Sequence, residues 1–334
     1  MRIAIVNDVR VAAEALRRVV CSLPDHTVAW TAADGVEAIA MAKRDRPDLI
    51  LMDLIMPHVD GVQATRQIMT SSPCAILIVT ATVSGNISLV YDAMGFGALD
   101  TVDTPTLGPN GEMTGVEPLV EKIATIAKIV GAPTDQRRAA RSDDATIAPR
   151  LLVIGASTGG PKAVANLLAP LPRDWNVAVV VVQHVDVAFS QGLAKWLAER
   201  TGHAVRVAEG GDRPQAGTVL LAGTNDHIVL SKGCTLAYRE EPRDVFFRPS
   251  VDVFFESVAD HWPQPGTAVL LTGMGRDGAR GMSKLRACGW HTIAQNEATS
   301  VVWSMPKAAI DLGAAGEVLG IDAMASAIVS RMNR

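Results

Sequence analysis

The stretch LLVIGASTGGPKAV, residues 151–164, decides how the larger part of this 334-residue chain folds. Four apolar residues run into Gly155, Ser157 stands among Gly155, Gly159 and Gly160, and Pro161 sits where a helix begins. An apolar strand that turns on glycine into a proline-headed helix is the βα joint of a parallel α/β sheet. The same turn has three chemical readings. It is a nucleotide-binding loop at a helix N-terminus, a turn whose glycines serve close helix–strand packing, or the seat of a serine nucleophile. The spacing G-x-x-x-G-G departs from the dinucleotide pattern G-x-G-x-x-G. The next strand also ends in Gln183-His184, not in the acid that would hold a ribose.

A nucleophile needs a base and an orienting acid on neighbouring strands. NVAVVVVQHV (176–185) puts His184 at the carboxyl end of the next strong strand. TAVLLTGMGRDGARG (267–281) ends another apolar strand in a glycine-rich turn containing Asp277, where backbone N–H groups can approach a carbonyl. A lone histidine at a strand end is usually structural, but serine, histidine and aspartate at three strand ends of one sheet give the geometry of acyl transfer. The chain order Ser…His…Asp is not the Ser…Asp/Glu…His order of α/β-hydrolases, so GASTG is not that family's nucleophile elbow.

Outward from this core the βα rhythm continues on both sides. Residues 1–130 alternate the strands RIAIV (2–6), VAWTA (28–32), DLILM (48–52), AILIVT (75–80) and ALDTV (98–102) with helical patterns, which predicts a doubly wound (βα)5 domain. Asp34 and Glu37 form a capping box before GVEAIAMAK. Residues 131–149 are polar, mixed in charge and without apolar period, and read as a linker. Residues 150–334 are expected to form a second doubly wound α/β domain with a parallel sheet, hydrolytic if the serine cluster is what it carries. Its short runs AVRVA, TVLLAG, HIVLS and TLAYR predict a small antiparallel section around 204–240.

Composition narrows the function classes. With 48% hydrophobic and 20% charged residues, each half can bury a core. No apolar run reaches the roughly 20 residues of a membrane span, and MRIAIVND lacks a signal peptide's apolar region, so a soluble, cytoplasmic chain is expected. Four cysteines (Cys21, Cys74, Cys234, Cys288) form no CxxC pair and read as buried reduced thiols. Residues 1–130 carry 10 Lys/Arg against 15 Asp/Glu and residues 151–334 carry 17 against 17, so no basic face points to nucleic acid.

The acids of the first half converge. The carboxyl ends of parallel strands share one crevice, and here they deliver Asn7 and Asp8, Asp53, Thr80, and Thr104 before Pro105. Each acid alone is as easily a helix cap. Together Asp8 and Asp53 could hold Mg²⁺, beside which a carboxylate can attack a phosphoryl group. LILMDLIMPHVDG, with IVND, IVTA and GALDTVDTP, resembles the response-regulator receiver domains across residues 1–125. That resemblance implies Asp53 as phosphoacceptor, Asp8 and the carbonyl of Ile55 as further Mg²⁺ ligands, and Thr80 as switch hydroxyl. It also marks two departures: Asn7 stands for one of the family's paired acids, and Thr104 for the lysine before Pro105.

IGASTGGP, VVQHV, FRPSVDVFF, LLTGMGRDGARGM and AQNEATSVVWSMP, in this order, resemble the catalytic domain of the chemotaxis-type protein-glutamate methylesterases, the CheB family. The receiver and linker match the family's layout. The resemblance implies Ser157 as nucleophile, His184 as base and then acid, Asp277 as orienting acid, the N–H of Met274 in the oxyanion hole, Thr158 supporting the serine loop, and Arg248 as a substrate contact. It implies hydrolysis of glutamyl methyl esters on receptor cytoplasmic helices without a metal, with glutamine deamidation as a companion activity and a histidine kinase as phosphodonor. Phosphorylation at Asp53 is expected to relieve inhibition by the receiver. The departures at Asn7 and Thr104 suggest a branch serving a surface-sensing pathway of the Wsp type. The alternative is a receiver-controlled receptor adaptor with little catalysis; a nucleotide-binding regulator is disfavoured by the loop spacing.

Overall fold

The structure, a computed structural model, describes residues 1–81, 86–107, 112–129 and 149–332. The chain divides into two compact units, Met1–Asp135 and Gln136–Arg334. The expected linker 131–149 falls, but for Pro149, outside the described residues.

The first unit runs β1 (Arg2–Val6), α1 (Arg10–Ser22), β2 (Thr27–Ala32), α2 (Gly35–Arg44), β3 (Leu49–Met52), α3 (Gly61–Ser71), β4 (Ala75–Thr80), α4 (Ile87–Gly95) and β5 (Asp100–Asp103). A two-residue hairpin, β6 (Thr106–Leu107) and β7 (Met113–Thr114), precedes α5 (Val116–Ile129). The five long strands pair in parallel in the order β2-β1-β3-β4-β5. β3 and β4 are buried along their whole length because helices cover both faces, which is why they read as unbroken apolar runs. The capping box forms as predicted: Glu37 N–H donates to Asp34 Oδ1 at 2.8 Å, and Glu37 Oε2 accepts from Ala33 N–H.

The second unit runs β8 (Arg150–Ala156), α6 (Gly160–Leu168), β9 (Val177–Gln183), α7 (Val187–Thr201), β10 (Ala204–Val207), β11 (Thr218–Leu221), β12 (His227–Leu230), β13 (Leu236–Arg239), α8 (Val251–His261), β14 (Thr267–Leu270), α9 (Ala279–Ala287), β15 (His291–Gln295), α10 (Ser304–Asp311), β16 (Glu317–Leu319) and α11 (Ile321–Met332). Seven strands form one parallel sheet, β10-β11-β9-β8-β14-β15-β16. The antiparallel section is smaller than expected: among the described residues of this unit β12 and β13 are the only named strands that pair that way, beside a single bridge between Ala178 and Ala216. AVRVA and TVLLAG instead extend the parallel sheet, because the chain between them returns to the same sheet end without a helix. Short apolar runs carry no sign of strand direction, so the sequence could not make that distinction.

The cysteines also differ from expectation. All four are free, but Cys21 is exposed and the other three are only half-buried. Among the described residues no helix is long and apolar enough to cross a membrane.

Candidate active site

Register alone brings the first two residues of interest together. β8 and β9 pair Ala156 with Gln183, so Ser157 and His184, each one residue further, leave the sheet side by side. β14 lies on the other flank of β8, and Ser157 N–H donates to Thr272 O at 3.1 Å, which ties the serine to the end of that strand. The turn then requires its glycines. Gly159, at φ +78°, has the left-handed conformation that side chains resist. At Gly160 a Cβ would fall 1.9 Å from Gln183 Oε1.

Asp277 completes the cluster from the turn after β14. Its Oδ2 accepts from His184 Nε2 at 2.8 Å and from Val251 N–H at 2.6 Å; its Oδ1 accepts from Ser250 Oγ at 2.8 Å and Asp252 N–H at 2.9 Å. The carboxylate therefore sits at the N-terminus of α8, where free N–H groups and the helix dipole favour negative charge. Phe254 and Phe255, fully buried, anchor that helix; each contributes roughly 1.5–3 kcal/mol by burial. Burial alone would raise the Asp277 pKa. The hydrogen bond and charge of His184, with the donors from Asp252 and Ser250, outweigh it and hold the carboxyl below its usual range. Neighbouring Asp252 goes the other way, pushed up to about 7 by burial and then by the charge of Asp277.

Since Asp277 takes the proton-bearing Nε2, the other imidazole nitrogen carries the lone pair. His184 Nδ1 is buried without a hydrogen-bond partner. Ser157, 8% exposed, likewise makes no side-chain hydrogen bond through Oγ among the described residues. Met274 N–H donates to nothing there either, although the N–H groups of Gly273 and Gly275 are taken by Val302 O and Ser304 Oγ. Thr158 is buried, and its carbonyl accepts from Thr272 Oγ1 at 2.9 Å. Arg248 Nη2 donates to Arg243 O at 2.7 Å.

In the first unit, Asp53 lies just past the end of β3. Its Oδ2 accepts from Asn7 Nδ2 at 3.0 Å and its Oδ1 from Leu54 N–H at 2.7 Å. Burial pushes its carboxyl up to about 6, the N–H groups of Ile55 and Leu54 oppose that, and the charge of Asp8 adds to it. Thr80 is buried at the end of β4 and accepts from Asn86 Nδ2 at 3.5 Å. Thr104 N–H donates to Thr80 O at 2.9 Å, which fixes the threonine before Pro105 beside Thr80. Lys122 does not fill the gap, since its Nζ pairs at 2.6 Å with Asp100 at the opposite end of β5. Among the described residues no three His, Cys, Asp or Glu side chains cluster as metal ligands. Two close carboxylates and a backbone carbonyl are nonetheless hard oxygen donors of the kind Mg²⁺ accepts with water completing its shell.

Residues 152–328 match the family model described as CheB methylesterase. The chain belongs to the CheB methylesterase family. Residues 3–107 match the response regulator receiver domain, so the chain joins a receiver to a CheB methylesterase domain. A relative from Burkholderia thailandensis, named protein-glutamate methylesterase/protein-glutamine glutaminase 4, is 52% identical over 100% of this chain and 98% of its own. One of the same activity name from Mesorhizobium japonicum is 52% identical over 100% of this chain and 99% of its own. The CheB methylesterase catalytic domain of Thermotoga maritima matches with 31% identity and a TM-score of 0.53, over 55% of this chain and all of that one.

Several residues of the CheB domain's cluster escaped the sequence reading. Gln183 is buried, and its Nε2 donates both to Ser157 O at 2.9 Å and to His184 O at 3.1 Å. Its place before His184 on an otherwise apolar strand was the available signal. Ser250 caps α8 and also holds Asp277. His227 is fully buried. Its Nδ1 accepts from Ser250 N–H at 3.2 Å and its Nε2 faces Pro242 O at 3.1 Å, while burial lowers its pKa, so it stays neutral.

Proposed function

We propose that this chain hydrolyses glutamyl methyl esters on the cytoplasmic helices of membrane receptors, releasing methanol. The observation that carries the reading is the buried, unpartnered Nδ1 of His184, at the strand end next to that of Ser157, with Asp277 on the other nitrogen. Ser157 Oγ attacks the ester carbonyl carbon as its proton passes to His184 Nδ1. Met274 N–H, free of other partners, receives the developing oxyanion. Asp277 holds the tautomer and stabilises the imidazolium. The tetrahedral intermediate collapses, the C–O bond to methanol breaks, and the Nδ1 proton goes to the leaving oxygen. A water molecule, its proton taken by the same nitrogen, then cleaves the acyl-enzyme to a glutamate side chain and restores the serine. A glutamine side chain follows the same course with ammonia leaving. Thr158 supports the serine loop, and Arg248 is assigned first to holding the turn that begins at Arg243.

The receiver sets this activity. Asp53 accepts a phosphoryl group from a histidine kinase, with Asp8, Asp53 and the Ile55 carbonyl as the residues that would hold Mg²⁺; that ion neutralises charge on the phosphoryl oxygens. Thr80 reads the phosphorylated state. A near-complete switch needs about 5.5 kcal/mol of bias between states. Thr104 cannot offer the charged donor that lysine offers, so a smaller activation is expected.

Methanol release from methylated receptor tests both parts. Full-length chain is expected to release it, faster after treatment with a small phosphodonor and Mg²⁺, and Ser157→Ala is expected to abolish it. Undiminished release by Ser157→Ala refutes the nucleophile, and equal rates with and without an Asp53 adduct refute the control.

A further inference from the structure

Asp277 meets the His184 imidazole at its edge; the face of the ring is covered by a different side chain. Phe247 stacks on it with centroids 4.2 Å apart and planes 8° from parallel. Phe247 is itself held in place. Phe246 meets it edge-on at 5.3 Å and 87°, and Gly275 lies against its rim, where a Cβ would come within 3.4 Å of Phe247 Cε2. The bond from Arg248 to Arg243 O ties down the turn that carries both phenylalanines.

A phenyl face is the negative pole of the ring quadrupole, so it attracts an imidazolium more strongly than a neutral imidazole. In the proposed reaction His184 is positive only after it has taken the Ser157 proton. An interaction that strengthens at that moment lowers the barrier and leaves substrate binding alone. We infer that Phe247 is a positioning residue that selectively favours the imidazolium form of His184 through the face of its ring. The inference rests on His184 being the base. It does not depend on the ester being the substrate.

The test replaces Phe247 in the full-length chain with phenylalanines carrying one, three and five ring fluorines, which keep the shape and progressively remove the negative face. The readout is the second-order rate at which a fluorophosphonate labels Ser157, followed by peptide mass spectrometry. In that step the Ser157 Oγ–P bond forms, P–F breaks, fluoride leaves and the serine proton passes to His184 Nδ1, so no glutamyl ester is needed. The rate is expected to fall stepwise, about tenfold for the pentafluoro ring, equivalent to about 1.4 kcal/mol, with an unchanged melting temperature. Phe247→Leu is expected to fall at least as far and Phe247→Trp to stay within about twofold of wild type. A flat fluorine series, or a leucine variant labelled as fast as wild type, overturns the inference, and so does a wild-type chain whose Ser157 does not react. Normal labelling with no methanol release from methylated receptor would instead sink only the proposed substrate.

Discussion

Asp277→Asn separates the charge of the orienting residue from its shape, and the structure specifies what must go wrong. The carboxylate accepts four hydrogen bonds, two at each oxygen, and all four partners are donors. An asparagine of the same outline accepts at one position and donates at the other. If its amide nitrogen takes the Oδ1 position it confronts Asp252 N–H, although Ser250 Oγ can turn to accept. If it takes the Oδ2 position it confronts Val251 N–H and forces His184 into the other tautomer, with the proton on Nδ1 where the serine proton must go. Either way a buried N–H is orphaned, at a cost of about 1–3 kcal/mol of stability, which lowers the melting temperature of a domain this size by roughly 5 °C. The catalytic loss is larger. The imidazolium loses its counter-charge or its tautomer, on the order of 10⁴-fold in kcat, or about 5.4 kcal/mol of barrier.

The assay is initial methanol release from methylated receptor at 25 °C, where the variant remains folded, with melting followed in parallel. Ser250→Ala is the control, since it removes one of the four donors and keeps the charge; about a tenfold loss is expected. Retention of more than a tenth of wild-type kcat by Asp277→Asn would refute the reasoning. So would a loss that Ser250→Ala reproduces in full, because then packing and not charge is the main contribution.

Gln183→Leu leaves the carbonyls of Ser157 and His184 without their shared donor, and steady-state kinetics are expected to show kcat down about 30-fold with KM within about threefold. Gly160→Ala drives a Cβ into Gln183 Oε1 and is expected to reproduce that kinetic pattern with a lower melting temperature. Asp53, raised to about 6 in the fold, binds its proton more tightly when folded than when unfolded, so the receiver loses stability as pH rises from about 4 through 6. Asp53→Asn removes this penalty, and its receiver is expected to melt a few degrees higher than wild type at pH 7.5 and not at pH 4; an equal shift at both pH values contradicts the assignment. Asn7→Asp is expected to lower the Mg²⁺ concentration that half-saturates phosphorylation of Asp53, read by mass spectrometry across a Mg²⁺ titration, and no change would show that the second acid is dispensable.

The residues that carry the proposed chemistry were legible because parallel sheets expose strand ends. Ser157 and His184 each come at the end of a largely apolar run, Asp277 lies in the glycine-rich turn after another, and the sequence places all three at one edge once the rhythm is read. What holds them was less legible. Three of the four donors to Asp277 come from Ser250, Val251 and Asp252, a helix N-terminus separated from it by 25–27 residues. Backbone N–H groups leave no trace in residue identity, so a helix start discloses its cap but not the anion it will hold. Gln183 is hidden for a related reason, since its partners are backbone carbonyls. The direction of β10 and β11 depended on the path of a connection with no periodic signal of its own. Which imidazole nitrogen meets the acid is likewise a matter of three-dimensional approach.

The receiver's two departures from its family read in sequence as two separate losses, and the structure joins them. A second acid at position 7 and a lysine at position 104 would together add one negative and one positive charge around Asp53. Asn7 and Thr104 add neither, so Asp8 and Asp53 stand in a cluster of the same net charge as the fuller set. The net charge around Asp53 is thereby unchanged, and Asn7 adds a neutral donor at 3.0 Å to Asp53 Oδ2. What is not conserved is a cation to pair with the phosphoryl oxygens after transfer, because Lys122 is committed to Asp100 and a threonine hydroxyl makes a weaker, uncharged bond. The substitutions therefore bear less on accepting the phosphoryl group than on converting it into a conformational bias, which is the step that sets how far the hydrolase can be switched.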